Sequence, residues 1–179
     1  MKQKSLFKNP AEKKKEPPLG KFKEKDFQRI FSRWVKNNAK YVGDNFGGIG
    51  GNCVFELKMA KTKSIRFDVV AEHQMQALMG ANGRDIPCYH KINDMPFIKD
   101  NPRSRFTNPK PFDCFFLSDV SAKVVVFFYK AGQKRAEREM IVIDVYDWLN
   151  KAEMSSKKSM TEMEAREIGR AVKFDDGEK

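Results

Sequence analysis

An acid and an amine two residues apart, in Glu56-Leu57-Lys58, are the residues of this sequence best placed to do chemistry. Because side chains alternate across a strand, Glu56 and Lys58 share one face and their neighbours point to the other. Charges in so apolar a stretch are costly to bury unless they are paired or bind a metal. A carboxylate there can hold Mg²⁺ beside an ammonium that orients or polarises a water molecule. An edge-strand ion pair explains the same residues, and Glu12-Lys13-Lys14 shows that the pattern also occurs elsewhere.

The periodicity of the chain predicts the elements that position this pair. Apolar residues spaced three and four apart, from Phe27 to Val35, predict the first helix. The elements predicted up to residue 92 are a helix over 23–38, a glycine-rich loop or hairpin over 40–52, a strand over 53–59, a connection over 62–66, a helix over 67–79 and a strand over 88–92.

The sequence of the second half of the chain predicts mainly strands. The predicted elements are a long loop over 93–111, two strands over 112–117 and 123–129 that form a hairpin, a strand over 139–145, a short helix over 147–151 and a polar helix over 155–172. This order predicts an α/β fold with a mixed sheet. We expect a basic disordered arm over 1–22, an α/β domain over 23–152 and a polar C-terminal helix or tail over 153–179.

The formal net charge of +11 indicates a polyanionic partner. Much of the excess lies in the first 25 residues, and the long loop adds basic side chains interleaved with phenylalanines. We expect this loop to contact DNA phosphates through Lys99, Arg103, Arg105 and Lys110. A solvated tail and a solvated loop explain the same charges.

Three segments together carry a family resemblance: Val54-Phe-Glu-Leu-Lys-Met-Ala-Lys, Ile65-Arg-Phe and Glu72-His-Gln-Met-Gln-Ala-Leu. They resemble the PD-(D/E)xK nuclease superfamily, and within it the RecU-type Holliday-junction resolvases and related phage endonucleases. In those enzymes a Glu-x-Lys strand precedes a short Lys/Thr/Ser connection, a Phe-containing entry and a helix with His-Gln. The resemblance covers roughly residues 24 to 92 and implies a restriction-endonuclease-like mixed sheet flanked by helices.

The resemblance also assigns roles to residues of the site. It implies that Glu56 binds Mg²⁺ or Mn²⁺, that Lys58 is the catalytic lysine, and that Gln74 lies near the active site. A second carboxylate is needed, usually on the strand before Glu-x-Lys. Asp113, which opens an apolar strand, is favoured over Asp44, which lies in the glycine-rich stretch. The structural explanation for Asp113 is a cap at the start of a hairpin, and the explanation for Asp44 is a turn residue.

The function implied by the resemblance is Mg²⁺-dependent endonucleolytic cleavage of DNA, with branched DNA as the expected substrate and a homodimer as the expected assembly. The alternative is a catalytically inactive nuclease-fold protein that binds DNA, and a third hypothesis is an assembly protein with a basic interaction arm. The sequence has no apolar run of membrane-spanning length and no signal-peptide pattern. We therefore expect no membrane partner and a cytoplasmic location, in the host cytoplasm if the chain is phage-encoded.

Overall fold

The structure of the 179-residue chain is a computed structural model that describes residues 22–48, 51–86, 88–92, 114–134 and 137–173. The elements in chain order are α1 (Glu24–Asn37), α2 (Ala39–Phe46), β1 (Cys53–Ala60), β2 (Ser64–Arg66), a 3-10 turn (Phe67–Val69), α3 (Glu72–Asn82), β3 (Tyr89–Ile92), β4 (Cys114–Leu117), β5 (Ser121–Phe128), β6 (Glu139–Asp144), α4 (Val145–Met154), β7 (Ser159–Thr161), α5 (Glu162–Ile168) and β8 (Gly169–Lys173). None of the helices in these ranges is long and apolar enough to cross a membrane.

A four-stranded mixed sheet organises the fold, in the order β1-β5-β6-β8. β1 and β5 are parallel, whereas the β5–β6 and β6–β8 pairs are antiparallel. Parallel neighbours need a crossover connection, and α3 lies within the one that joins β1 to β5. β5 has an almost uninterrupted apolar sequence, as expected of a central strand buried on both faces.

Helices cover both faces of this sheet. One face packs against α1 and α2 through an aromatic cluster that includes Phe27, Phe31, Trp34 and Phe127. The other face packs against α3, α4 and α5, with Trp148 fully buried at its centre. The alternation of β1 follows from these two cores: Phe55 and Leu57 face the α1 side, and Val54 and Ala60 face the α3 side. Glu56 and Lys58 therefore belong to the α3 side.

Two small antiparallel sheets complete the described part of the chain. β2 pairs with β7, so that Ile65 faces Met160 across the pair, and β3 pairs with β4. The β2–β7 pair joins the segment after β1 to the segment after α4, which are distant in sequence. It thereby fixes the path of the chain from β1 to α3.

The structure confirms the mixed α/β prediction and most elements of the first half, including α1, β1 and β3. The helix predicted over 67–79 forms as α3 but begins later, at Glu72, because Phe67–Val69 form a 3-10 turn. The loop predicted over 40–52 was wrong in its first half, where α2 forms because Val42 and Phe46, four residues apart, are buried against the α1 side of the sheet. β2 was also missed, because three residues are too few for a recognisable alternation.

Two further predictions are overturned. β4 and β5 do not form the predicted hairpin, because β4 pairs with β3 while β5 lies between β1 and β6. The polar helix predicted over 155–172 is replaced by β7, α5 and β8, and β8 is the edge strand beside β6. Gly169 begins β8 where an added Cβ would lie only 2.6 Å from Ile143. The strand thus approaches β6 at a point that only glycine permits.

Candidate active site

Glu56 and Lys58 lie on the face of β1 that packs towards α3. Their register partners on β5 are Val124 and Val126, both fully buried. The two charged side chains are therefore set against an apolar sheet surface rather than projecting into open water. Their side chains are 24% and 9% exposed respectively, so the carboxylate reaches solvent and the ammonium hardly does.

Glu56, Lys58 and Gln74 form a closed triangle of hydrogen bonds. The Lys58 Nζ lies 3.0 Å from Glu56 Oε1 and donates to Gln74 Oε1 at 2.9 Å. The Gln74 Nε2 completes the triangle by donating to Glu56 Oε1 at 2.9 Å. A buried ammonium is costly unless its hydrogens are satisfied, and here the two neighbours supply a charge and a neutral acceptor.

The start of α3 fixes the third member of this triangle. Gln74 is the third residue of the helix, and its Oε1 accepts a hydrogen bond from the Ala71 backbone N–H at 3.0 Å. That N–H is among the donors that lack an intrahelical acceptor at a helix N-terminus. The amide orientation follows from the network, since Oε1 meets two donors and Nε2 meets a carboxylate. Gln74 is thus held from the backbone and holds both charged residues.

The triangle leaves one carboxylate oxygen unused. Both contacts of Glu56 are made by Oε1, and Oε2 has no hydrogen-bond partner among the residues the structure describes. An oriented carboxylate with one unengaged oxygen, on a side chain that is partly exposed, is a suitable ligand for a hard divalent cation such as Mg²⁺. The adjacent ammonium supplies a fixed positive charge that can interact with an anionic substrate.

A cavity of about 230 Å³ opens directly beside the triangle. Its polar end is formed by Glu56, Gln74 and His73, and His73 is exposed on α3. The remaining wall is apolar and consists of Val54, Ala77, Leu78, Ala81 and Leu117. Leu117 is the last residue of β4, so the segment that follows residue 113 in sequence contributes to this wall.

The structure brings together three of the residues predicted from sequence, Glu56, Lys58 and Gln74, and separates a fourth. Asp44 is exposed on α2, which packs on the opposite side of the sheet from Glu56. Asp113 lies outside the described residues, as do the predicted DNA contacts Lys99, Arg103, Arg105 and Lys110. Within the described ranges, no group of three or more His, Cys, Asp or Glu residues is arranged to hold a metal.

Sequence reasoning missed two parts of this arrangement. The hydrogen bond from the Ala71 backbone N–H to Gln74 was not predicted, because the side chain of alanine gives no indication of it. A glutamine at the third helical position is nevertheless a recognised partner of a helix N-terminus. The apolar wall from α3 was also missed, because Ala77, Leu78 and Ala81 look like ordinary core residues in the sequence.

A second lysine–carboxylate pair lies on the other face of the same sheet. Lys123 on β5 contacts Asp144 on β6 at 2.8 Å, and strand alternation places both on the α1 side. No glutamine among the described residues joins this pair, and Asp144 instead accepts a hydrogen bond from the Tyr146 backbone N–H at the start of α4. It offers a matched control for the Glu56–Lys58 pair.

Comparisons with protein-family models, curated proteins and solved structures gave no significant match. We therefore infer the function from the geometry of Glu56, Lys58 and Gln74.

Proposed function

We propose that this protein is a metal-dependent nuclease that hydrolyses phosphodiester bonds in DNA, with a restriction-endonuclease-like fold. The single observation that carries the proposal is the Glu56–Lys58–Gln74 triangle. Gln74, on a separate helix, hydrogen-bonds to both charged side chains and fixes their positions relative to each other. Here the glutamine pre-orients both charges and leaves Glu56 Oε2 without a hydrogen-bond partner among the described residues, which suits a site that binds and reacts.

Each residue of the triangle has a distinct role under this proposal. Glu56 would hold the cation through Oε2, and Lys58 would donate a hydrogen bond to the attacking water or to a phosphate oxygen. Gln74 keeps the two at a fixed separation, and its own position depends on the Ala71 N–H. When bound, Mg²⁺ or Mn²⁺ would stabilise negative charge on the phosphate and lower the pKa of a coordinated water.

The order of elements supports the proposed relationship to RecU-type resolvases. A Glu-x-Lys strand, a Phe-containing connection and a His-Gln helix follow one another here as β1, Phe67 and α3. The departure concerns the second acid, because the described elements before β1 are α1 and α2 rather than a strand. This favours Asp113 over Asp44, since Asp113 immediately precedes β4, and Leu117 at the end of β4 lines the cavity beside Glu56.

A catalytically inactive nuclease-fold protein that binds DNA is the second candidate. The observation that favours it is that Glu56 is the one carboxylate among the described residues that lines the cavity. A calorimetric titration with Mn²⁺ distinguishes the two candidates. Saturable binding that is lost in both Glu56→Gln and Asp113→Asn supports the nuclease, and absence of binding supports the inactive protein.

The nuclease proposal is tested by incubating the protein with a synthetic four-way junction, a linear duplex and a single strand, each with Mg²⁺, Mn²⁺ or EDTA. We expect metal-dependent cleavage, strongest on the junction, that falls at least about 100-fold in Lys58→Met. Lys123→Met removes the lysine of the control pair on the opposite face, and we expect its cleavage rate to stay within a few-fold of wild type. If no substrate is cut in a metal-dependent manner, or if both variants lose activity equally while remaining folded, the proposal is wrong.

A further inference from the structure

The β2–β7 pair brings together two pairs of lysines from distant parts of the sequence, one at each end of the strand pair. Lys61 and Lys63 lie in the turn between β1 and β2, and Lys157 and Lys158 precede β7. All four are exposed. The pairing is direct, because the Phe67 backbone N–H donates to the Lys158 carbonyl at 3.1 Å and the Glu162 N–H donates to the Lys63 carbonyl at 3.1 Å. We define these four residues as the lysine patch.

The acids near the lysine patch are already paired with other cations. Asp68 is held by Arg66 through a hydrogen bond of 2.8 Å from Nε, and that bond, together with the guanidinium charge, keeps the pKa of Asp68 below its usual value. Burial would raise the pKa of Glu162, but hydrogen bonds from Lys130 and Arg166 outweigh burial and lower it. The four patch lysines themselves form no ion pair with the described residues. Lys158 acts on Asp68, and Lys157 on Glu164, only through longer-range attraction.

The dimensions of the lysine patch suit an extended polyanion. Lys63 and Phe67 stand at the two ends of β2, and four residues of strand span about 13 Å. Lys158 lies beside Phe67, so lysines border both ends of this span. DNA carries a regularly repeating series of phosphates along each strand, so more than one phosphate can lie within this span. A single small anion could not engage both ends.

The segment that carries Lys61 and Lys63 is connected at both of its ends to residues of the candidate active site. Residues 61–70 connect β1, which carries Lys58, to Ala71, whose N–H holds Gln74. Lys61 is three residues from Lys58, so their Cα atoms lie within about 11 Å. A backbone that lies along the patch is thereby directed towards the triangle.

We propose that the lysine patch binds the sugar-phosphate backbone of DNA and guides one strand to the Glu56–Lys58–Gln74 site. This inference rests on the proposed function for the direction of the strand, but the binding itself needs no metal and no catalysis. It concerns residues other than the N-terminal arm and the long loop. Anionic lipid is the competing polyanion, and the contact with the active-site segment favours nucleic acid.

The test compares two full-length variants with the same net charge. In the patch variant, Lys61, Lys63, Lys157 and Lys158 are all replaced by Gln. In the control variant, Lys25, Lys36, Lys40 and Lys173 are replaced by Gln, since these exposed lysines lie on α1, on α2 and at the end of edge strand β8. Each variant loses four positive charges, from +11 to +7. Fluorescence anisotropy with a labelled duplex, in EDTA at several salt concentrations, measures the affinity and its salt slope.

Each phosphate contact contributes about 0.9 to the slope of log K against log salt. If two to four patch lysines make such contacts, the slope falls by about 2 to 4 in the patch variant. The affinity at ~0.1 M salt then falls about 50-fold or more. We expect a much smaller loss in the control variant. Equal losses in the two variants, or no DNA binding by the wild type, would overturn the inference.

Two further measurements distinguish this inference from the proposed function. If the patch variant binds and cuts DNA as the wild type does, the inference fails while the nuclease proposal stands. If the wild type binds through the patch but never cuts, the nuclease proposal fails and the inference stands. Vesicles containing phosphatidylserine provide the last comparison: patch-dependent binding to vesicles, with patch-independent binding to DNA, would assign the surface to lipid and overturn the inference.

Discussion

Removing Glu56 and removing Lys58 should lower the stability of the fold by unequal amounts. In Glu56→Gln, the Lys58 ammonium stays almost completely buried, at 9% exposure, and loses its counter-charge. In Lys58→Met, the carboxylate keeps the Gln74 N–H and reaches water, because Glu56 is 24% exposed. The burial of the surviving charge decides which loss is larger, because an uncompensated charge costs more where water cannot reach it.

The magnitude follows from the separation of the two groups. At 3.0 Å and an effective dielectric constant of about 20, the attraction is about 5 kcal/mol, and desolvation offsets part of it. Breaking a fully buried pair from one side costs about 3–5 kcal/mol. We therefore expect Glu56→Gln to lower the free energy of unfolding by about 3 kcal/mol and Lys58→Met by about 1 kcal/mol. The double variant should be more stable than Glu56→Gln alone, because it buries no unpaired charge.

Urea unfolding at pH 7 in EDTA measures these differences, with tryptophan fluorescence and far-UV circular dichroism as independent probes of one transition. Trp148 is buried on the same side of the sheet as the pair and reports on that core. Lys123→Met serves as the control, and we expect a cost of about 1 kcal/mol or less because its pair is more exposed. The reasoning is refuted if Lys58→Met costs as much as Glu56→Gln, or if the double variant shows the sum of the two losses.

Two further predictions concern the C-terminal elements. Because the pKa of Glu162 is lowered in the folded state, its carboxylate stabilises the fold above the unfolded pKa and loses this effect as the pH falls through the folded value. The wild type should therefore have a higher melting temperature than Glu162→Gln at pH 7, and this difference should vanish at acidic pH. A difference that stays constant with pH would contradict the prediction. Gly169→Ala should cost about 2–3 kcal/mol in urea unfolding, since its Cβ would lie 2.6 Å from Ile143. Gly132→Ala, where nothing lies within 4 Å but φ is +80°, should cost only about 1 kcal/mol, and equal costs would exclude a steric cause.

Much of the fold could be predicted where the local pattern matched the tertiary environment. α1 has apolar residues at helical spacing, and Phe27, Ile30, Phe31 and Trp34 are all buried on one side of the sheet. β1 alternates, and its two faces belong to the two cores. The prediction for the C-terminal region was wrong because the local pattern there did not match the tertiary environment. Residues 155–172 are polar and favour a helix locally, but β8 is stabilised by hydrogen bonds to β6 that the local sequence does not encode.

The sequence by itself determined which residues could form the candidate site. The two-residue period of a strand requires Glu56 and Lys58 to share a face, and a glutamine early in a helix is suited to cap it. The tertiary structure decided how these residues meet. Residue 74 reaches residues 56 and 58 only because β1 and β5 are parallel, so that the chain between them passes over the α3 side of the sheet. The lysine patch likewise exists only through the β2–β7 pairing, since contacts between distant segments depend on packing that no local pattern specifies.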